Sequence, residues 1–209
     1  GVLNIWVAPS GDIGAARVVT NDSKRGIRFH GWMPNGTHVL YIQDEGGTED
    51  WHVYAVEIAT SAVRNLTPIA GVNAQLHGLS LDYPDEMIVG LNERDKAWHD
   101  LYRIDIRTGA RELMFENTDQ LSRIVLDRQF NPRLASKTRA AEGGRTRYRI
   151  EGGKLVEIGV VEHADDLTTH TIGFTRDGGT LYGISSIGRD KAALFATDWA
   201  SGKERLLAE

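Results

Sequence analysis

An aromatic residue returns at a nearly constant interval along the whole chain. Each copy lies at the centre of a short strand-like segment, and successive copies are 48, 48, 46 and 47 positions apart. The five copies are Trp6, Tyr54, Tyr102, Tyr148 and Phe195. A repeat of about 40–50 residues is typical of folds in which each unit buries its apolar face against the next one. This interval limits the possible folds more than any other feature of the sequence.

Turns and a second motif complete the repeat unit. After the aromatic strand come a glycine-containing turn and another strand, as in residues 105–115. About half a period earlier, residues 31–41 read as strand, turn and strand, and residues 173–182 repeat them almost position for position. The copy at 78–89 has a different turn, and the copy at 124–135 is degraded but in phase. Four short strands in each unit predict the blade of a β-propeller.

The phase of the repeat predicts an all-β propeller segment. A leading half blade at 3–20 is followed by four complete four-stranded blades near 26–68, 74–116, 121–162 and 168–208. No helical 3.6-residue period is sustained, which argues against a solenoid, and a β-sandwich has no fixed repeat. An open arc of blades leaves two apolar faces bare, so we expect further blades outside this chain or self-association through those faces. The chain begins with Gly1, and we expect it to be an excised part of a longer protein.

Composition narrows the possible partners. The formal net charge is -5 and the arginines are dispersed, so no nucleic-acid partner is expected. The chain has no cysteine, and its longest apolar runs are far shorter than a membrane span. We therefore expect no membrane partner, no disulfide and no cofactor. The composition is compatible with both the cytoplasm and the periplasm of a bacterial-type cell.

No catalytic centre can be assigned from the sequence. The Gly-x-Ser-x-Gly pentapeptide of α/β-hydrolases is absent, and residues 183–188 have the wrong spacing within a predicted strand and turn. Three groups contain residue types that can bind a metal: His52 with His99, His163 and His170 around Asp165-Asp166, and the acidic pairs Asp44-Glu45 and Glu49-Asp50 around two glycines. Structural roles are the favoured interpretation of all three. The sequence therefore predicts no catalytic, no cofactor-binding and no metal-binding residue in this chain.

Two further sets of residues have alternative interpretations. Arg123, Arg128 and Arg133 lie on or beside a predicted inner-strand pair, where an arginine could bind a peptide carboxylate. Ordinary surface charge is the favoured interpretation. Aromatic residues at fixed positions of the repeat are predicted to pack between blades: Trp6, Trp32, Tyr54, Tyr102, Tyr148, Phe174 and Phe195.

Several segments are more specific than a generic blade. They are residues 4–7, 20–28, 41–44, 49–56, 65–68, 90–95 and 99–102. Together they resemble the propeller of the prolyl oligopeptidase family of serine peptidases, in the branch with acylaminoacyl-peptidase and dipeptidyl-aminopeptidase homologues. The resemblance is dense over residues 4–116 and looser to residue 209.

The resemblance implies a function as well as a fold. In that family a propeller covers an α/β-hydrolase domain and admits small peptides while excluding folded proteins. The implied partners are a hydrolase domain, absent from this chain, and the peptides that pass the channel. Two alternatives remain. The Asn35-Gly36 and Asp177-Gly178 turns are similar to those of TolB-like binding propellers. An enzyme with paired carboxylates in the propeller itself ranks last, because the acidic residues fall mostly in turns.

Overall fold

A computed structural model describes all 209 residues and divides them into two compact units, residues 1–116 and 117–209. Both units are built from antiparallel strands. The only helical segments are two 3₁₀ turns, Ile13–Ala15 and His163–Asp165. The structure contains no helix with the length and hydrophobicity needed to cross a bilayer.

Residues 1–116 form a two-stranded hairpin and two four-stranded sheets. The hairpin pairs β1 (Trp6–Val7) with β2 (Arg17–Val18). The first sheet contains β3 (Phe29–Trp32), β4 (His38–Asp44), β5 (Trp51–Glu57) and β6 (Val63–Asn65). The second contains β7 (Ala74–Ser80), β8 (Tyr83–Asp95), β9 (Trp98–Asp105) and β10 (Arg111–Phe115). Strands that are consecutive in sequence are neighbours in each sheet.

Residues 117–209 form two more sheets with the same strand order. One contains β11 (Arg123–Leu126), β12 (Pro132–Thr138), β13 (Arg145–Glu151) and β14 (Lys154–Val161). The other contains β15 (His170–Phe174), β16 (Thr180–Ser185), β17 (Ala193–Asp198) and β18 (Glu204–Ala208). The predicted fold class is confirmed: four four-stranded propeller blades follow a two-stranded leading hairpin.

The core of residues 1–116 lies between the faces of adjacent sheets. Leu40 and Val53 from the first sheet join Met87, Leu91 and Ile104 from the second in one buried cluster. Strand periodicity explains this arrangement, because alternate side chains point to the same face of a strand. Burying one such side chain contributes roughly 1.5–3 kcal/mol. Packing of one blade on the next is therefore the main apolar interaction in this unit.

The corresponding core of residues 117–209 is smaller. Its cluster of buried residues consists of Leu134, Phe174 and Leu181. The third strand of the first sheet, β13, has no fully buried residue, whereas the equivalent strand β9 has three. Arginine occupies alternate positions of β13, and Arg147 precedes the repeated aromatic residue at the place where β9 has the buried Leu101.

The predicted packing of the repeated aromatic residues is only partly correct. Phe174 shares a buried cluster with Leu134 of the preceding sheet, and Tyr54 packs against a cluster that contains Ile5 from the leading hairpin segment. Trp6 and Trp32, in contrast, are 63% and 52% exposed, so the prediction is wrong for both. Ile5 and Val7 beside Trp6 join the apolar cluster, and alternation along the strand turns Trp6 to the opposite face. All four residues of β3, which contains Trp32, are exposed at the edge of their sheet.

Aspartate side chains fix the turns between the last two strands of a blade. Asp105 Oδ1 accepts hydrogen bonds from Arg107 N at 2.9 Å and Thr108 N at 2.8 Å. The Thr108 bond is the largest cause that lowers the pKa of Asp105. Asp198 repeats the arrangement with Ser201 N at 2.8 Å. A side chain that accepts from the backbone two and three residues ahead stabilises such a turn.

We expect Asp105→Ala to lower the free energy of unfolding by about 1 kcal/mol, the usual net contribution of such a hydrogen bond. The measurement is urea unfolding of the 209-residue chain. Glu112→Ala is the matched control, because Glu112 is exposed on the adjacent strand β10. Equal stabilities for the two variants would contradict this role of Asp105.

Candidate functional site

The serine segment and the histidine–aspartate group lie in structural positions. Ser185 ends β16, and Ser186 Oγ donates a hydrogen bond to Asp165 Oδ1 at 2.6 Å. Asp166 forms an ion pair with Arg145. The structure contains no group of three or more His, Asp or Glu side chains that could hold a metal ion. Asp165 and Asp166 are thus bonded to Ser186 and Arg145 in a loop between two blades.

His52 and His99 lie at equivalent positions near the start of β5 and β9. His52 is buried, and its Nδ1 donates a hydrogen bond to the carbonyl oxygen of Thr67 at 2.7 Å. Burial lowers the pKa of His99 and outweighs the opposing effect of a hydrogen bond with the Asn73 backbone. At Gly90 a Cβ atom would lie 2.7 Å from His77 Nε2 and 3.1 Å from His99 Cβ, so the glycine makes room for both histidine side chains.

The acidic segment at residues 44–50 is held by internal bonds. Asp44 is buried, and its Oδ1 lies 3.2 Å from Arg25 Nε. Its Oδ2 accepts a hydrogen bond from Glu49 N at 3.3 Å. The Asp44 carboxylate therefore closes a surface loop, and it has a protein cation as its partner.

The structure separates the three arginines that were weighed as carboxylate ligands. Arg133 Nη1 donates to Asp127 Oδ2 at 2.8 Å, and its guanidinium carbon lies 5.2 Å from the ring centroid of Phe174. Arg128 is exposed just after β11. Arg123 alone lines a cavity. The guanidinium group of Arg133 thus bonds within one blade and contacts an aromatic ring of the next. Of the three arginines, Arg123 is the one that lines the cavity described below.

That cavity lies between the sheets β11–β14 and β15–β18 and has a volume of about 260 Å³. We call it the arginine cavity. Its charged lining residues are Arg123, Arg145, Arg147 and Glu204, and His170 also lines it. Ser136 and Ser185 add hydroxyl groups, and Val125, Leu134, Leu181 and Phe195 add apolar surface. Three guanidinium groups and one carboxylate make the lining electropositive.

The three arginines differ in their partners. Arg145 forms an ion pair with Asp166, and its Nη2 donates to the carbonyl oxygen of Thr169. Burial lowers the pKa of Arg145, and the positive charges of Arg123 and Arg147 lower it further. Burial likewise lowers the pKa of Arg147, whereas the charge of Glu204 raises it. The Nε atom of Arg147 is buried and has no hydrogen-bond partner.

Arg145 and Arg147 were not among the candidates from the sequence, although a signal was present. Arg145, Arg147 and Arg149 alternate along β13. Three cations with period two in a strand predict a charged row on one face. A strand that buries one face against a neighbouring blade would ordinarily carry apolar residues in that row.

Comparisons with known proteins agree with the architecture. No family model matches the chain. Dipeptidyl aminopeptidase BIII of Pseudoxanthomonas mexicana is 40% identical over all 209 residues, and the chain spans only 30% of that protein's length. A solved prolyl endopeptidase structure covers 99% of the chain with a TM-score of 0.68 and 14% identity, and the chain covers 30% of it. The structure of TolB from Acinetobacter baumannii covers 92% of the chain with a TM-score of 0.56 and 15% identity, and the chain covers 46% of it.

The two solved structures have low sequence identity and show the fold alone. The identity to the dipeptidyl aminopeptidase extends over every residue of the chain, through all four blades. It agrees with the resemblance found in residues 4–116 and 173–182. The predicted resemblance to propellers of the prolyl oligopeptidase family is therefore confirmed: the chain is similar in sequence to one part of a dipeptidyl aminopeptidase and in fold to part of a prolyl endopeptidase.

Proposed function

We propose that this chain is a non-catalytic part of a longer serine peptidase and restricts access of small peptides to a hydrolase domain outside the chain. One observation carries the proposal: 40% identity to a dipeptidyl aminopeptidase runs over the full chain, which spans only 30% of that protein. The chain itself has no Gly-x-Ser-x-Gly nucleophile motif.

The physical basis of the proposed gating is steric. Blades held together by buried apolar clusters form stiff walls, because protein interiors are close-packed. Stiff walls admit an extended peptide and exclude a folded protein. The proposed partners are the hydrolase domain and the passing peptides. Self-association through exposed apolar side chains such as Trp6 and Val18 also belongs to this proposal.

Labelling with a serine-directed phosphonate tests the absence of a nucleophile in this chain. We expect no covalent labelling of residues 1–209, because Ser185 and Ser186 lie in a blade strand and its turn. The longer protein that contains this chain should be labelled. Its variant with the hydrolase-domain nucleophile replaced by alanine is the control and should not be labelled. Labelling of the 209-residue chain would overturn the proposal.

A stand-alone binding propeller is the second candidate, favoured by the likeness to TolB over 92% of the chain. Under this second proposal, the longer protein that contains the chain would not react with the phosphonate. Its propeller would be complete and no hydrolase domain would follow. Sequencing the reading frame beyond Glu209 separates the two, since the first proposal requires a Gly-x-Ser-x-Gly segment there and the second forbids it.

A further inference from the structure

We propose that the arginine cavity is a binding site for a small oxyanion of the carboxylate or phosphate type, with Arg147 and Arg123 as its ligands. The site lies entirely within residues 117–209. The inference rests on the contents of the cavity and does not depend on the proposed peptidase function.

Arg147 has a nitrogen atom that lacks a hydrogen-bond acceptor. Its Nε atom is enclosed by protein and has no acceptor. A buried polar group without a partner is costly, and a buried charge without a partner is more so. Native structures therefore pair such groups with protein, water or a ligand. Because Arg147 also lines the cavity, an oxyanion bound there would lie beside its guanidinium group and offset a charge that Glu204 alone opposes.

The cavity lining has more positive than negative side chains. Arg145 already has Asp166 and the Thr169 carbonyl as partners, so its guanidinium needs no further anion. Arg123 and Arg147 repel Arg145, and Glu204 is the carboxylate whose charge acts on Arg147. Like charges held together destabilise a fold, and an anion between them would reverse the sign of that interaction.

The chemistry of the lining residues indicates which kind of anion would bind. A guanidinium group presents a planar fork of donors that matches two oxygens of a carboxylate or phosphate. The Ser136 and Ser185 residues in the lining provide hydroxyl donors for remaining oxygens. Glu204 lines the same cavity and repels negative charge. The expected ligand is thus small and singly charged, and the apolar lining favours a short carboxylate over phosphate.

Isothermal titration of the 209-residue chain with sodium acetate and with sodium phosphate tests the site, with sodium chloride at matched ionic strength as the reference. We expect saturable binding of at least one oxyanion, tighter for acetate, and no saturable heat with chloride. Tighter phosphate binding would keep the site but identify phosphate as the preferred ligand. No saturable binding of either oxyanion at millimolar concentrations would overturn the proposal.

Arg147→Met keeps the side-chain volume and removes the charge and the donors. We expect it to weaken oxyanion binding about tenfold or more, since a charge-assisted hydrogen bond is lost. In buffer without oxyanions its Tm should equal or exceed that of the unchanged chain, because a half-buried cation that repels Arg145 is gone. This second readout distinguishes a lost ligand from a misfolded variant.

Two more variants complete the design. Glu204→Gln should strengthen oxyanion binding, because the competing carboxylate is removed from the lining. Arg28→Met makes the same change as Arg147→Met at an exposed position in residues 1–116, and binding should not change. Equal weakening by Arg28→Met and Arg147→Met would show that net charge alone governs binding and would overturn the assignment of the site.

Discussion

Replacing Gly144 with alanine is expected to lower the free energy of unfolding by about 4 kcal/mol. Gly144 has φ +73°, and a Cβ atom there would lie 2.2 Å from the carbonyl oxygen of Val161 and 2.8 Å from the carbonyl carbon of Glu162. Both neighbours are backbone atoms that pair β13 with β14 or follow that pairing directly. Left-handed strain costs about 1–3 kcal/mol and overpacking about 1–3 kcal/mol more.

Gly152→Ala is the matched control for Gly144→Ala in the same sheet. Gly152 also has positive φ, at +55°, but a Cβ atom there meets nothing within 4 Å. Its substitution should cost only the strain, about 1 kcal/mol. Urea unfolding followed by circular dichroism measures both variants. Similar losses for the two glycines would show that the close approach at Gly144 is relieved by a local shift.

Asp127→Asn is expected to lower the free energy of unfolding by about 2–3 kcal/mol at neutral pH. The Asp127 side chain is 2% exposed and accepts hydrogen bonds from Arg133 Nη1 at 2.8 Å and Asn131 N at 2.9 Å. Removing one partner of a buried ion pair typically costs roughly 3–5 kcal/mol. The expected loss is smaller here because the Arg133 side chain is 25% exposed.

The pH dependence of this effect has a definite sign. Burial by itself would raise the pKa of Asp127, but hydrogen bonds from Arg133, Asn131 and Gln129 outweigh it and hold the pKa below its ordinary 3.8. The contribution of the carboxylate is therefore complete above pH 3.8 and is lost as the pH falls through the lower, folded-state pKa. The stability difference between the unchanged chain and Asp127→Asn should shrink in that acidic range.

Urea unfolding at neutral pH and below pH 3.8 checks this prediction. Asp190→Asn is the control, because Asp190 is exposed in the turn between β16 and β17. It should change stability by less than about 0.5 kcal/mol at either pH. A difference between Asp127→Asn and the unchanged chain that stays constant with pH would contradict the role of the carboxylate.

The fold class could be predicted from the sequence because it depends on local features. The repeat interval, the alternation of apolar residues and the glycine and aspartate turns act within one blade. Burial of the aromatic residues could not be predicted for every copy. Whether Trp6 or Ile5 faces the adjacent sheet depends on register, and the aromatic strand of each blade has two possible faces.

The candidate site was less predictable for a related reason. Arg123 could be singled out from its inner-strand position, and it does line the cavity. The importance of Arg147 depends on a donor left without an acceptor, which only the packing of one sheet on another reveals. Arg133 was an equally good candidate for binding a carboxylate by sequence, but in the structure its guanidinium group already contacts Asp127 and the ring of Phe174.

The order of strands within the sheets has a consequence for synthesis of the protein. Each four-stranded sheet uses four strands that are consecutive in the chain, with no strand inserted from elsewhere. A blade can therefore pair its backbone as it leaves the ribosome, without waiting for later segments, because contacts between near neighbours in sequence form fastest. We expect blades to form in the order in which they are synthesised, and within a sheet each new strand pairs with the open edge of the strand before it.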